Sequence, residues 1–399
     1  MRRKTLNKQF LFLQMLQMLT ICISASFLSP ILYSYHCREF TIGVILAVAA
    51  LGTALLRPLI GYVNDRFCCA RQIVMAFDLI GVACFYLLTH ASSDALRILS
   101  AIGVNVALIS MMSFVDSWAI RMMHENYELN YGLTRAGGSF SYAAGALAFG
   151  TIYAKHGYRS GSWVVLVLYC AIAAMAFCIP NPKPDTRDRK QLRFFRAVGS
   201  LCGNRRFMLM LLAFFLLTQT TCAIDNFQSV RILALGGTEK SVGIVLFLQS
   251  FSEMTLLVCY SRLKRAAKKP AAFWMAVGMT AFGIKALLLG AAREVWQIYL
   301  TALLQSVSFG IVTPAGVDFI LETVDPSVLS TSHLCFQAIG SGAAMVVSNL
   351  FCGFLAEKCG TGRMFRLICL CAFVAALLAL CVVRMCGSGR KTDAEGGGS

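Results

Sequence analysis

Charged residues are scarce in this chain, and acidic residues are the scarcer kind. Only 14% of the 399 residues are charged, with 19 acidic against 36 basic side chains, whereas 58% are hydrophobic. A chain this apolar cannot cover a soluble surface, and it is far too long to be a single membrane anchor. The sequence therefore predicts a polytopic membrane protein.

Histidine is also rare, and the arrangement of cysteine is uninformative. The five histidines lie singly near the ends of apolar stretches, and they form neither metal-ligand spacing nor a nucleophile with a base. The 17 cysteines show neither metal-ligand spacing nor the pattern of a disulfide scaffold. We therefore expect no metal, no cofactor and no enzymatic activity. A membrane-embedded enzyme or a sensor stays open as an alternative.

The apolar stretches lack the alternation over about ten residues that membrane barrel strands need, so they predict helices. The first stretch is too long for the apolar region of a signal peptide, and we expect it to remain as the first span. The predicted fold class is all-α, with twelve spans of about 20 residues or more. Their predicted bounds are 9–35, 41–63, 72–92, 95–123, 130–154, 161–180, 206–232, 238–260, 270–291, 294–321, 330–356 and 364–386.

The net charge of +17 does not predict nucleic-acid binding, because most basic residues fall in alternate loops. The positive-inside rule then places both termini in the cytoplasm. We predict an inner (plasma) membrane protein that is monomeric, whose basic loops face anionic lipid headgroups.

A basic, proline-containing stretch divides the spans into six and six. We predict an N-terminal bundle at 1–180, a cytoplasmic linker at 181–205, a C-terminal bundle at 206–386 and a cytoplasmic tail at 387–399. A weak internal repeat supports duplication, since Gly150 to Gly157 resembles Gly353 to Gly360. The final Gly-Gly-Gly-Ser resembles an artificial linker and carries no functional argument.

Two charged residues stand inside apolar spans, Asp116 in span four and Arg135 in span five. Charge at this depth is costly, so such residues turn inward and mark a substrate or ion pathway. A short connection makes the two spans adjacent and antiparallel, so the charges can face one cavity. The alternative is an ion pair that only locks the two helices together.

The loop after span two reads Gly61-Tyr-Val-Asn-Asp65-Arg66-Phe-Cys-Cys-Ala-Arg71. It resembles the Gly-x-x-x-Asp-Arg-x-Gly-Arg-Arg signature of the major facilitator superfamily, with Cys68 in place of the second glycine. The resemblance implies two six-helix bundles and alternating access. It also implies that Gly61, Asp65, Arg66 and Arg71 form a conformational latch between helix ends.

Spans four and five are similar to the lactose permease branch of that superfamily and to its nucleoside and phenylpropionate relatives. Val115-Asp116 stands where that branch has Val-Glu, and Tyr131-Gly132-x-x-Arg135 matches Phe-Gly-x-x-Arg. The resemblance implies that Asp116 and Arg135 hydrogen-bond substrate hydroxyls. Tyr142 takes the place of a Trp that stacks on the sugar, although an aromatic packed in the bundle core is an equal alternative.

Further charges lie in spans seven to nine: Asp225, Glu253 and Lys285. By the same resemblance, Glu253 couples substrate to proton, and Lys285 faces a titrating acid. The His and Glu that the permease carries in span ten have no equivalents here, so coupling must depend on Glu253 or Asp225. Static pairing of Asp225 with Lys285 is the alternative.

Polar side chains on span one and one acid near the end of span ten complete the set. Most of the former are expected to form hydrogen bonds between helices, and the alternative is that some line the cavity. The set is Gln14, Gln17, Ser24, Ser26, Ser29 and Pro30. Asp318 is expected to cap a helix or to join helix ends.

The leading hypothesis is a proton-coupled symporter that imports a small hydroxylated metabolite, a sugar or a nucleoside. Its partners would be that small molecule, protons and membrane lipids. A drug or metabolite efflux antiporter of the same fold is the alternative, and it would need a wide, apolar cavity.

Overall fold

The computed structural model describes residues 2–67, 69–124, 131–181, 199, 201–324, 332 and 335–395. Within these ranges the chain is almost wholly helical and forms no strand, which confirms the all-α prediction. The first seven helices are α1 (Arg2–Ser24), α2 (Leu28–Ser34), α3 (Glu39–Phe67), α4 (Ala70–His90), α5 (Asp94–His124), α6 (Tyr131–His156) and α7 (Arg159–Cys178). The others are α8 (Arg205–Ala234), α9 (Glu239–Ala267), α10 (Ala271–Ala291), α11 (Val295–Ala302), α12 (Gln305–Thr323), the π-helix Phe336–Ala343, α13 (Ala344–Cys359) and α14 (Thr361–Glu395).

Each predicted span corresponds to one helix or to a pair of consecutive helices. Ten helices in the described part of the chain are long and apolar enough to cross a membrane, and α9 is an eleventh if its two bent halves count as one span. Of the twelve predicted spans, the one without a counterpart in this set is α6. It has 26 residues but carries Arg135 and a run of small residues. These residues lower its apolar character, and they are the features that mark it as a candidate functional helix.

The first span is broken between α1 and α2. Pro30 has no amide hydrogen to offer the carbonyl of Ser26, so regular helix pairing cannot continue across this point. The Tyr153 hydroxyl of α6 donates to the carbonyl oxygen of Ile23 at 2.7 Å, and its ring packs edge-on against Phe27. A tyrosine from a neighbouring helix therefore stabilises the break.

The turn after α2 recurs after α8. His36 has φ +57° and Gly236 has φ +80°, and the two residues are 200 positions apart. The helices that follow them begin at Glu39 and Glu239. The left-handed backbone suits glycine and costs more at histidine. The same turn at the same spacing is consistent with an internal duplication.

The chain divides into two compact units. Unit 1 contains Met1–Arg187 and Ser229–Ser250, and unit 2 contains Asp188–Gln228 and Phe251–Ser399. The predicted bundles at 1–180 and 206–386, the linker at 181–205 and the tail at 387–399 stay predictions. Most of that linker lies outside the described residues.

Unit 1 includes Ser229–Ser250 because α6 contacts the start of α9 closely. The alpha carbon of Gly243 lies so near Gly150 that a side chain at either position would meet backbone. Beside this contact, the Tyr158 hydroxyl donates to Glu239 Oε1 at 3.0 Å. Burial and the Glu239 carboxylate raise the pKa of Tyr158, so the phenol remains a hydrogen-bond donor at neutral pH.

Within unit 2, polar side chains join α8 to the π-helix and α13. The Thr218 hydroxyl donates to the backbone carbonyl of Gly340 at 2.7 Å. The side-chain amide of Gln219 donates to the backbone carbonyl of Ala344 at 3.2 Å. Asn226 Nδ2 donates to Asn349 Oδ1 at 2.7 Å. A π-helix leaves carbonyls without the regular pairing, and in lipid these must be satisfied by neighbouring helices.

Gly290 tests the packing of α10 on α14, a pair of helices in unit 2 whose backbones approach closely. A Cβ atom at Gly290 would lie 2.7 Å from the Gly362 carbonyl oxygen, whereas one at Gly316 would meet nothing within 4 Å. We expect Gly290→Ala to destabilise the protein by about 1–3 kcal/mol through overpacking. Thermal unfolding in detergent measures this, with Gly316→Ala as the matched control. Equal melting temperatures for the two variants would contradict the packing described.

Candidate functional site

Asp116 on α5 is half-buried, and its carboxylate faces α1. Its Oδ1 accepts a hydrogen bond from Gln14 Nε2 at 3.1 Å. Gln14 itself is 4% exposed, so the amide is fixed within the bundle. The predicted hydrogen bonding of Gln14 between helices is confirmed by this contact.

Arg135 on α6 reaches the same side of α1 one turn further along. Its Nη1 lies 3.7 Å from Met18 Sδ, a weak acceptor, and the side chain is half-buried. The close approach is possible because Gly138 lacks a side chain: a Cβ there would lie 3.0 Å from both Gln14 and Met18. The structure therefore brings Asp116 and Arg135 to two positions on α1 that are one turn apart.

Tyr142 lies on α6 and bonds to the break in the first span. Its hydroxyl donates to Ser26 Oγ at 2.8 Å. Nearby, the Ser141 hydroxyl donates to the carbonyl of Met15 at 2.6 Å. All three residues predicted to bind substrate are thus positioned against the first span, and the predicted interhelical hydrogen bond of Ser26 is confirmed.

Asp78 on α4 is an acid that the sequence analysis did not single out. It is 0% exposed, and its Oδ1 accepts from Nε2 of Gln17, also 0% exposed, at 2.9 Å. The sequence does carry a signal for it, a lone carboxylate in the middle of the apolar stretch 72–92. No motif resemblance and no basic neighbour in the sequence accompanied that signal.

Lys285 on α10 is the charged centre of unit 2. It is 0% exposed, and its Nζ donates to Gln305 Oε1 at 2.6 Å. It also interacts electrostatically with Asp225 on α8 and Glu253 on α9. Glu253 is half-buried and Asp225 is exposed. The structure therefore brings the three residues predicted to couple protons into one electrostatic group, to which the sequence analysis had not added Gln305.

The predicted latch residues have different surroundings. Arg71 Nη2 donates to the carbonyl of Ile179 at 2.9 Å, and its Nε to that of Ala176 at 3.1 Å, so it caps the end of α7. Arg66 is exposed and contacts Tyr62 of its own helix at 3.2 Å. The side chain of Asp65 lies outside the described residues, and a Cβ added at Gly61 would meet nothing within 4 Å. The latch role stays a prediction.

Asp318 joins two helix ends in unit 2. Its Oδ2 accepts from Lys264 Nζ at 2.7 Å, and the same ammonium group lies 2.7 Å from Glu322 Oε1. Tyr260 also donates to Asp318 Oδ2, at 3.3 Å. These contacts connect α9 to α12, as expected for a residue that joins helix ends.

Apolar helices of spanning length that carry inward-facing charged groups define a polytopic membrane transporter. A family model described as the MFS_1 like family matches residues 10–381, and the chain belongs to this family. The predicted membership of the major facilitator superfamily is thereby confirmed.

Relatives and solved structures agree with that assignment. The chain is 25% identical to the maltose permease of Geobacillus stearothermophilus, over 96% of this chain and 95% of the permease. It is 21% identical to an uncharacterized transporter of Bacillus subtilis, over 80% of this chain and 77% of that protein. The fold is similar to that of a mutant of the nucleoside transporter NupG, with a TM-score of 0.82, 12% identity, and coverage of 94% of this chain and 99% of that chain.

The charged group around Lys285 can be tested by a double-mutant cycle with Asp225. We expect Lys285→Met to destabilise the protein, because it leaves acidic groups without their counter-charge, and Asp225→Asn to restore part of the loss. The coupling energy should be about 0.5–3 kcal/mol in thermal or denaturant unfolding. Lys285→Met combined with Asp94→Asn serves as the control, since Asp94 belongs to the other compact unit. Additive effects for Lys285 and Asp225 would show that the two charges are independent.

Proposed function

We propose that this chain is a proton-coupled symporter that carries a small hydroxylated metabolite, a sugar or a nucleoside, by alternating access. One observation carries the proposal: Asp116 and Arg135, from two different helices, contact positions one turn apart on α1. A relative named maltose permease and a similar fold in a nucleoside transporter support the substrate class. The particular substrate is to be decided by experiment.

The proposed recognition follows from the chemistry of these groups. A carboxylate accepts hydrogen bonds from two hydroxyls, and a guanidinium donates in a planar fork to hydroxyl or carbonyl oxygens. Both side chains are half-buried, so each has an accessible part as well as a fixed one. Tyr142 adds an aromatic ring whose hydroxyl is held by Ser26, and such a ring can stack on the apolar face of a pyranose or a nucleobase.

The proposed coupling uses the charged group of unit 2. Glu253 and Asp225 are the acids that would gain and lose a proton, and Lys285 is the fixed positive charge that interacts with both. A carboxyl that is neutral in one conformation and ionised in another binds a proton on one side of the membrane and releases it on the other.

We further propose that the protein resides as a monomer in the inner (plasma) membrane with both termini in the cytoplasm. The distribution of basic residues supports this orientation. In that orientation the basic loops face anionic lipid headgroups, and residues of the Gly61–Arg71 segment act as a conformational latch on the cytoplasmic side.

Substrate binding is tested with Asp116→Asn in proteoliposomes loaded with maltose or uridine. We expect counterflow to fall and the apparent affinity to weaken by about 10-fold or more, because a charged hydrogen bond is worth about 1.5–3 kcal/mol. Asp94→Asn is the matched control, since Asp94 begins the same helix and forms an exposed ion pair with Arg97 at 2.9 Å. Unchanged counterflow in Asp116→Asn, or an equal loss in Asp94→Asn, would contradict the site.

A drug-resistance assay distinguishes symport from the alternative, an efflux antiporter. Asp116 and Arg135 are proposed to bind hydroxyl groups, which lipophilic cations lack. Arg135→Ala should therefore leave any drug resistance unchanged while it abolishes sugar or nucleoside exchange. Resistance that depends on Arg135, without exchange of maltose or uridine, would replace symport by efflux.

A further inference from the structure

We propose that Asp78 and Gln17 form a proton-binding site inside unit 1, in which Asp78 is held as a neutral carboxylic acid and shares its proton with the Gln17 amide. The site is separate from the acids assigned above to proton coupling. Its existence does not depend on the transported substrate, whereas its use in transport rests on the proposed function.

The Asp78 carboxyl is fully buried within α4 and its neighbours. Asp78 and Gln17 are both 0% exposed, and Asp78 lies eight residues into α4, roughly 12 Å from the start of that helix. An ionised carboxylate in such a place costs far more than a neutral acid unless a positive group compensates it. Gln17 supplies a single hydrogen bond and no charge.

The contact between Asp78 and Gln17 leaves two buried acceptor atoms without a donor among the described residues. Gln17 Nε2 donates to Asp78 Oδ1 at 2.9 Å, which uses one atom of each group. The two remaining atoms, Asp78 Oδ2 and Gln17 Oε1, are buried and have no hydrogen-bond partner among the described residues. Both are acceptors when the acid is ionised. One proton on Oδ2 provides the missing donor, and Gln17 Oε1 is an acceptor on the same partner.

Among the described residues, no charged side chain bonds to the Asp78 carboxyl, although α4 packs on α5 and α7 and touches α3. The one hydrogen bond that this carboxyl accepts within the described residues comes from the neutral amide of Gln17. Arg159 at the start of α7 donates to a carbonyl near the far end of α4, and Arg57 of α3 donates to a carbonyl of α5. Arg71 of α4 itself caps α7, and the nearby acid of α5, Asp116, is engaged with Gln14.

The position of Gln17 gives the site a role in the transport cycle. Gln14 and Gln17 are three residues apart on α1, so they lie on neighbouring positions of one helix face. When Asp78 loses its proton, Oδ2 and Gln17 Oε1 are both buried acceptors without a donor in the described part of the chain, and the carboxylate carries an uncompensated charge. The amide must then turn or α1 must shift, and either change reaches the Gln14–Asp116 contact one turn away.

Infrared spectroscopy of the purified protein in H₂O and D₂O tests the proton directly. We expect a carboxylic-acid C=O band at neutral pH that shifts in D₂O, is lost in Asp78→Asn and persists in Asp94→Asn. Asp78→Asn keeps the shape of the neutral acid, so it should fold. If it does not, Gln17→Leu must move the same band, because it removes the hydrogen-bond partner. A spectrum in which neither substitution changes the acid band would overturn the proposal.

Transport in proteoliposomes with maltose or uridine tests the use of the proton. We expect Asp78→Asn to lose accumulation driven by a proton gradient while counterflow continues. Accumulation equal to that of the wild type would overturn the coupling role. Failure of the wild type to exchange either compound would refute the proposed function instead, and the infrared result would still decide whether Asp78 binds a proton.

Discussion

Hydrogen bonds from the first span to carboxylates of other helices hold the candidate site together. In a bilayer, polar groups have no water to bind, so each must be satisfied within the protein. Gln14 and Gln17 each meet part of this requirement, because their side-chain amides donate to Asp116 of α5 and Asp78 of α4. Because both amides belong to α1, any change in the charge or occupancy of one acid acts on a helix that also contacts the other.

The break in the first span also binds side chains of a neighbouring helix. Its free backbone and hydroxyl groups are bound by two tyrosines of α6, Tyr153 at Ile23 and Tyr142 at Ser26. The small residues of α6, such as Gly138, let the two helices approach closely enough for these bonds. Arg135 is therefore held by a helix whose register against α1 is fixed at several points.

The sequence predicted the helical class, the superfamily and the helices that carry the intramembrane charges, because apolar length and buried charge leave clear signals. It also predicted that Asp116 and Arg135 lie on adjacent helices and face one cavity. It did not predict that α1 is their common neighbour, since the approach depends on tertiary packing at Gly138. Asp78 was missed because its partner is a neutral amide on another helix, and a lone carboxylate gives no pattern that points to such a partner.

We propose that Asp116 and Arg135 bind one ligand, with α1 as their shared neighbour. The most direct measurement is a double-mutant cycle, Asp116→Asn with Arg135→Lys, on the affinity of the purified protein for whichever of maltose or uridine it binds. We expect a coupling energy of about 0.5 kcal/mol or more, because the two groups would hold the same molecule. Strictly additive losses, or no loss in either single variant, would contradict it.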